Sequence, residues 1–357
     1  MSVNRVLSRP AIDMRAEIIS RPTEAMWEAM KSTEIDWYVN GQDPSVAELQ
    51  DRMAEMTGKE AALFTVTGAL ANISGLLSLA ERGSQVIMER RCHIYWAEGN
   101  NAAYVANIAT RLLDGDRFGR MTPEQVDAAF READYGYAQS TSLLCLENTH
   151  NVAGGCALSP AETAALAEVA KGHGAKVFLD GARLWNAAAY HGASLAEMLK
   201  GVDGAMVSLN KGLGAPVGAV LVGSAETIQK AQLAIRRLGS SGVHRMGYFA
   251  AAALCALDTM QGTFAEDHRR ARRLAEGLSE IEGLHVDLET VQTNIVRVEI
   301  LTQAVDAFEF ADRLRAHGVG CRVIEAPNVV KFHTYWEIDD DAIEQTVAAV
   351  QAVVDEL

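Results

Sequence analysis

The chain has 357 residues, nearly half of them apolar (49%), and a formal charge of −15 with a pI near 5.1. No stretch is long and uncharged enough to span a bilayer, and the acidity opposes binding to nucleic acid or an anionic membrane, so the expectation is a soluble, cytoplasmic protein with a sizeable core. Five scattered cysteines (Cys92, Cys145, Cys156, Cys255 and Cys321) without CxxC or ligand-like spacing argue against a disulfide framework or zinc site, and residues 1–10 lack the apolar core of a signal peptide.

Residues 1–20 show no strong period and read as an arm, taken to end at residue 24. Thr23 is a candidate N-cap for a helix carrying the apolar stripe Ala25, Met26, Ala29 and Met30. Asn40 to Ser45 gives a turn and cap before a helix over 46–57, and Ala61 to Thr65 reads as a short strand. Thr67 to Asn72 opens a helix running to Leu79, whose first backbone amides could meet an anion such as a phosphate; a plain glycine-containing turn fits the same residues. A strand over 85–88 follows. His93 to Trp96 then sets an imidazole and two aromatics in a loop or first helical turn, where a structural histidine is the plain alternative.

Strands are expected over 107–112 and 142–146, with a helix over 123–132 between them. The second runs into the polar cluster Glu147, Asn148, Thr149, His150 and Asn151. An amphipathic helix over 160–173 feeds a strand over 175–180 that ends in Asp180. A carboxylate there fits either an N-cap for a helix over 182–189 or the partner of a cofactor's ring nitrogen. The apolar run Ala205 to Leu209 reads as a buried strand, and Lys211 stands just past its end before Gly212-Leu213-Gly214. A lysine there is either a surface-loop residue or a nucleophile whose amine forms a Schiff base with a carbonyl, the usual carbonyl being that of pyridoxal phosphate.

The β-α-β alternation over about 60–224 predicts an α/β fold: a large domain (25–250) with a mostly parallel sheet flanked by helices. A smaller α+β domain is expected over 251–357, with strands over 284–288, 294–300, 320–325 and 328–337 and a last helix over 340–357. The basic run His268 to Arg273 reads as the solvated face of a helix over 264–280. No Walker A pattern or well-placed GxGxxG occurs.

The stretches Leu146-Glu147-Asn148-Thr149-His150-Asn151, Leu179-Asp180-Gly181-Ala182-Arg183-Leu184-Trp185-Asn186-Ala187 and Ser208 to Gly218, in that order and spacing, resemble the threonine aldolase family of aspartate-aminotransferase-like pyridoxal phosphate enzymes. Arg21-Pro22-Thr23 and Gly58 to Phe64 extend the resemblance over most of the chain. It implies that Lys211 carries pyridoxal 5'-phosphate, Asp180 holds its pyridinium, and His93 stacks on its ring. Thr67, Gly68 and Ala69 would meet its phosphate, while Arg183 and Lys331 would bind the substrate carboxylate. It further implies an amino-acid substrate and a homo-oligomer, dimer or tetramer, with shared active sites. Departures from the family pattern fall at Ala16 (serine), Asn40 (tyrosine), Tyr137 (a second histidine), Lys331 (arginine) and Val243-His244-Arg245 (Met-Arg-Gln).

The activity so implied is aldol cleavage of a β-hydroxy-α-amino acid to glycine and an aldehyde, with His93 a candidate base, directly or through a water. β-Elimination or transamination on the same cofactor is the alternative, and a non-catalytic fold relic a third reading.

Overall fold

A computed structural model describes residues 9–37, 43–133, 140–240, 243–324 and 327–357; Asn40 and Tyr137 lie outside them. The chain divides into two compact units, one of Arg21–Phe264 and the other of the segment ending at Ser20 together with Ala265–Leu357.

The larger unit is built on a seven-stranded sheet in the spatial order Ala61–Thr65, Ala219–Gly223, Gly204–Ser208, Lys176–Gly181, Thr141–Glu147, Gln85–Glu89, Ala109–Leu113. All pairings are parallel except those of Ala219–Gly223, which runs antiparallel to both neighbours. The central strands are near-continuous apolar runs, as strands covered on both faces must be: Val177, Phe178 and Leu179 are buried, as are Ala205, Met206 and Val207. Helices begin where the sequence offers caps. Asp43 accepts from the Val46 backbone amide at 3.1 Å ahead of Pro44–Thr57, and Ser159 forms a reciprocal capping box with Glu162 ahead of Pro160–Gly172.

The helix Gly68–Leu79 lies close against the sheet because of Gly75. A Cβ there would stand 2.3 Å from Cε2 of Phe178, so only glycine lets the helix approach the Lys176–Gly181 strand this closely. One turn earlier on the same helix, Asn72 is thereby brought to the strand's carboxyl end.

In the smaller unit a four-stranded antiparallel sheet runs Arg322–Val323, Val329–His333, Ile295–Ile300, Leu284–His285. The expected strand over 320–325 is instead two short pieces: Val319–Gly320 pairs parallel with Ile12–Asp13, whereas Arg322–Val323 joins the larger antiparallel sheet. The chain changes sheets at buried Cys321, which no pattern of alternation signals. Residues 12–13 of the expected arm thus serve as a strand, and Ala16 is buried in the same unit. On the helix Phe264–Ser279, Arg269 is ion-paired with Glu266 and Asp340, Arg272 with Glu276, and Arg273 with Asp340 and Glu344. The basic run is a salt-bridged helix face. No helix of the described residues is long and apolar enough to cross a membrane.

Candidate active site

The parallel strands of the larger unit end together, and side chains from three of those ends and from the Gly68–Leu79 helix converge there. Asp180, 1% exposed, sits next to last in its strand. Its Oδ1 accepts from the Ala182 backbone amide at 3.0 Å, and its Oδ2 accepts from Asn72 Nδ2 at 2.9 Å. It does not cap the following helix, which starts at Leu184 with Arg183 in the cap position. Asn72 Nδ2 also donates to Glu98 Oε1 at 2.8 Å, so the two hydrogens of one amide serve two carboxylates.

His93 begins a short helix whose first amide donates to Glu147 Oε2 at 2.8 Å. Its ring is 35% exposed, with Nδ1 3.3 Å from Glu98 Oε1 and 3.8 Å from Asp180 Oδ2. The closer approach is an ion-pair distance without hydrogen-bond alignment. The other oxygen of Glu147 accepts from the Asn151 amide at 2.9 Å, and Asn151 Oδ1 in turn accepts from buried Arg183 at 3.4 Å. Lys211 follows the Gly204–Ser208 strand in a tight loop closed by its own carbonyl, which accepts from Gly214 at 2.8 Å. A Cβ at Gly212 would stand 2.4 Å from Phe264, so the loop beside Lys211 also depends on a glycine.

Burial raises the Asp180 carboxyl to about 6; the charge of His93 opposes this, Glu147 and Glu98 add to it, and Lys211 opposes it again. Burial by itself would lower His93, but Glu98, Asp180 and Glu147 outweigh it and the imidazole is raised above its ordinary value. Next to them the thiols of Cys92 and Cys145 are pushed well up by burial, so they stay neutral. All five cysteines are free.

Thr67 caps the Gly68–Leu79 helix, its hydroxyl accepting from the Leu70 amide at 3.1 Å. Gly68 and Ala69, the first two helical residues, have no intrahelical acceptor for their amides. His244 and Arg245 are exposed ahead of the helix Met246–Thr259. Lys331 belongs to the smaller unit, fully buried in the Val329–His333 strand opposite Arg297 and Arg322.

The structure thus brings His93, Asp180 and the field of Lys211 together, with Arg183 linked through Asn151 and Glu147. It adds two residues that sequence reasoning did not single out, Asn72 and Glu98, and a place in the site for Glu147, which the sequence marked only as part of a polar cluster and motif. The signals for them are faint. Asn72 is an amide on an otherwise apolar helix, Glu98 a carboxylate five positions past a histidine, and Glu147 the first residue of a polar strand end.

The sequence profile of beta-eliminating lyases matches residues 13–301. The chain is 40% identical over 292 residues to low-specificity L-threonine aldolase 1 of Arabidopsis thaliana, covering 81% of each chain. It is 33% identical over 337 residues to the low specificity L-threonine aldolase of Escherichia coli K12, covering 94% of this chain and 97% of that one. Among solved structures, it is similar in fold to a Leishmania major threonine aldolase (TM-score 0.80, 18% identity, 96% and 99% of the two chains covered). A Sphingomonas wittichii serine palmitoyltransferase is similar in the same way (TM-score 0.77, 19% identity, 97% and 88% covered). By profile and by relatives that span most of its length, the chain belongs to the beta-eliminating lyase family.

Proposed function

We propose that the protein is a pyridoxal-phosphate-dependent aldolase that cleaves a β-hydroxy-α-amino acid, such as threonine, allo-threonine or phenylserine, to glycine and an aldehyde. The observation that carries this reading is the buried Asp180, held by Asn72 and within the field of Lys211. An acid so placed suits the ring nitrogen of the cofactor. The residues present also fit the rest of the group: an amine at Lys211 for its aldehyde, open amides at Gly68 and Ala69 beside Thr67 for its phosphate, and the His93 ring for its face. Buried polar atoms without a hydrogen-bond partner among the described residues, Asn72 Oδ1 and His93 Nδ1, lie in the same cluster.

When bound, the cofactor supplies the electron sink for the carbanion left at the substrate's α-carbon. The chain's own residues do the rest. Asp180 keeps a negative charge against the ring nitrogen, and Arg183 offers a guanidinium fork to the substrate carboxylate. His93, directly or through a water, takes the β-hydroxyl proton as the Cα–Cβ bond breaks and the new carbonyl forms; a proton delivered to Cα completes glycine.

A cytoplasmic homo-oligomer of two or four copies with shared sites is part of the same reading, supported by exposed Trp27, Trp37, Trp96 and Tyr104 on the larger unit. Purified protein given pyridoxal phosphate and a panel of threonine, allo-threonine, phenylserine and 3-hydroxyaspartate is expected to form glycine from at least one. Pyruvate and ammonia from serine, with no glycine from the panel, would instead assign β-elimination.

A further inference from the structure

Glu98 is a buried carboxylate whose side-chain polar contacts are with Asn72 and His93 of the candidate site. Its Oε1 lies 2.8 Å from Asn72 Nδ2 and 3.3 Å from His93 Nδ1, while its Oε2 is buried without a hydrogen-bond partner. Burying a carboxylate with one oxygen unmatched is unfavourable unless its charge is used. Both carboxylate approaches to the His93 ring are at Nδ1.

We propose that Glu98 is a positioning residue that acts through His93: it keeps the Nδ1 proton in place, leaves the Nε2 lone pair facing the reacting molecule, and steadies the imidazolium formed when Nε2 takes the substrate's hydroxyl proton. The inference rests on the assignment of His93 as the base in the aldol cleavage proposed above. The balance is simple. The O–H proton moves to Nε2, the O–H electrons become the new C=O bond, and the Cα–Cβ pair stays with the glycine fragment. An acid behind the imidazole serves this as it does in a carboxylate–histidine–hydroxyl relay, fixing the tautomer and balancing the charge. Asn72 links the arrangement to the cofactor end, because its second hydrogen is on Asp180.

The groups that face His93 are Glu98 from the loop after its own helix, Asp180 and Glu147 from the strand ends, and the neutral thiol of Cys145 beside them, with Lys211 acting on Asp180. Glu147 is already engaged by two backbone amides and Asp180 by Ala182 and Asn72. Glu98 is the acid nearest the ring nitrogen, and its Oε1, with Asn72 on one side and His93 Nδ1 at 3.3 Å on the other, can accept from both.

The test is nitrogen NMR of the full-length chain labelled in its nine histidines, with and without added pyridoxal phosphate, the His93 signals being those missing from His93→Asn. In the wild type the neutral ring should carry its proton on Nδ1. In Glu98→Gln, whose amide oxygen can still accept from Nδ1 but carries no charge to steady the imidazolium, the His93 titration should move down by about 1–3 pH units. With cofactor and substrate, kcat should fall on the order of 10²- to 10⁴-fold with little change in KM, and Glu98→Asp should recover part of it. An unchanged His93 titration in folded Glu98→Gln, or a wild-type neutral ring protonated at Nε2, would overturn the proposal. Should that variant not fold, Glu98→Asp decides: a smaller downward move supports the proposal and none overturns it. A wild type that forms no glycine would sink the aldolase reading and with it the catalytic use of Nε2, while the tautomer and titration measurements would still decide whether Glu98 governs His93.

Discussion

Asn72 and Asp180, 108 positions apart in the chain, meet through a 2.9 Å hydrogen bond between Nδ2 and Oδ2 in the interior of the larger unit. The bond joins the end of a strand to the second turn of a helix. It gives a buried carboxylate one of its two donors, the other being the Ala182 backbone amide.

Removing that donor should be felt at the cofactor. A hydrogen bond to a charged group is worth about 1.5–3 kcal/mol, so Asn72→Ala should weaken pyridoxal phosphate binding roughly ten- to a hundredfold. Absorbance titration of the apo protein with cofactor measures this directly, and wild-type affinity in the variant would show that Asp180 does not depend on the amide.

The close approach at Gly75 makes a second expectation. Gly75→Ala places a methyl group against Phe178, and overpacking of this kind destabilises by about 1–3 kcal/mol. Gly172, whose added Cβ would meet nothing within 4 Å, is the control, and Gly172→Ala should be close to neutral. Thermal unfolding of the two variants side by side checks the difference; equal melting temperatures would contradict the packing argument.

Asp180 should also mark the pH dependence of the apo protein. Its carboxyl ordinarily titrates near 3.8 and is raised to about 6 by burial, so the folded state holds its proton more tightly than the unfolded chain does. Its contribution to stability is therefore fully present below about 4 and is lost as pH rises through about 6. Asp180→Asn removes this loss. The melting temperature of the variant relative to wild type should climb between pH 4 and pH 7, and a difference that stays flat or falls over that range would refute the assignment.

Lys211 offers a chemical test. Borohydride treatment of the wild type with pyridoxal phosphate should attach the cofactor permanently to the peptide containing Lys211, as mass spectrometry of a digest would detect. Lys211→Ala should yield no such peptide and no catalytic turnover above background. Labelling of a different lysine in the wild type would remove Lys211 from the site.

Much of the larger unit was legible from the chain alone, because its buried strands are continuous apolar runs and its helices start at recognisable caps. The runs before Asp180 and Lys211 could be read that way, since each is local: a strand, its end, and the functional group just past it. The position of Ala219–Gly223 could not. That strand inserts antiparallel between Ala61–Thr65 and Gly204–Ser208, a pairing between segments far apart in the chain that no local pattern specifies. The two readings left open for Asp180 were likewise separated only in three dimensions, where its oxygens take the Ala182 amide and Asn72 while Arg183 occupies the cap position.

The amino-acid sequence by itself determined the α/β class, the family, and the strand ends that bear Asp180 and Lys211, since these follow from hydrophobic runs and motifs a few residues long. Tertiary structure alone decided the company Asp180 and His93 keep. Glu147 reaches them from the neighbouring strand and Asn72 from a helix, the latter through contacts that depend on how closely that helix lies on the sheet, and short-range pattern carries no record of that distance.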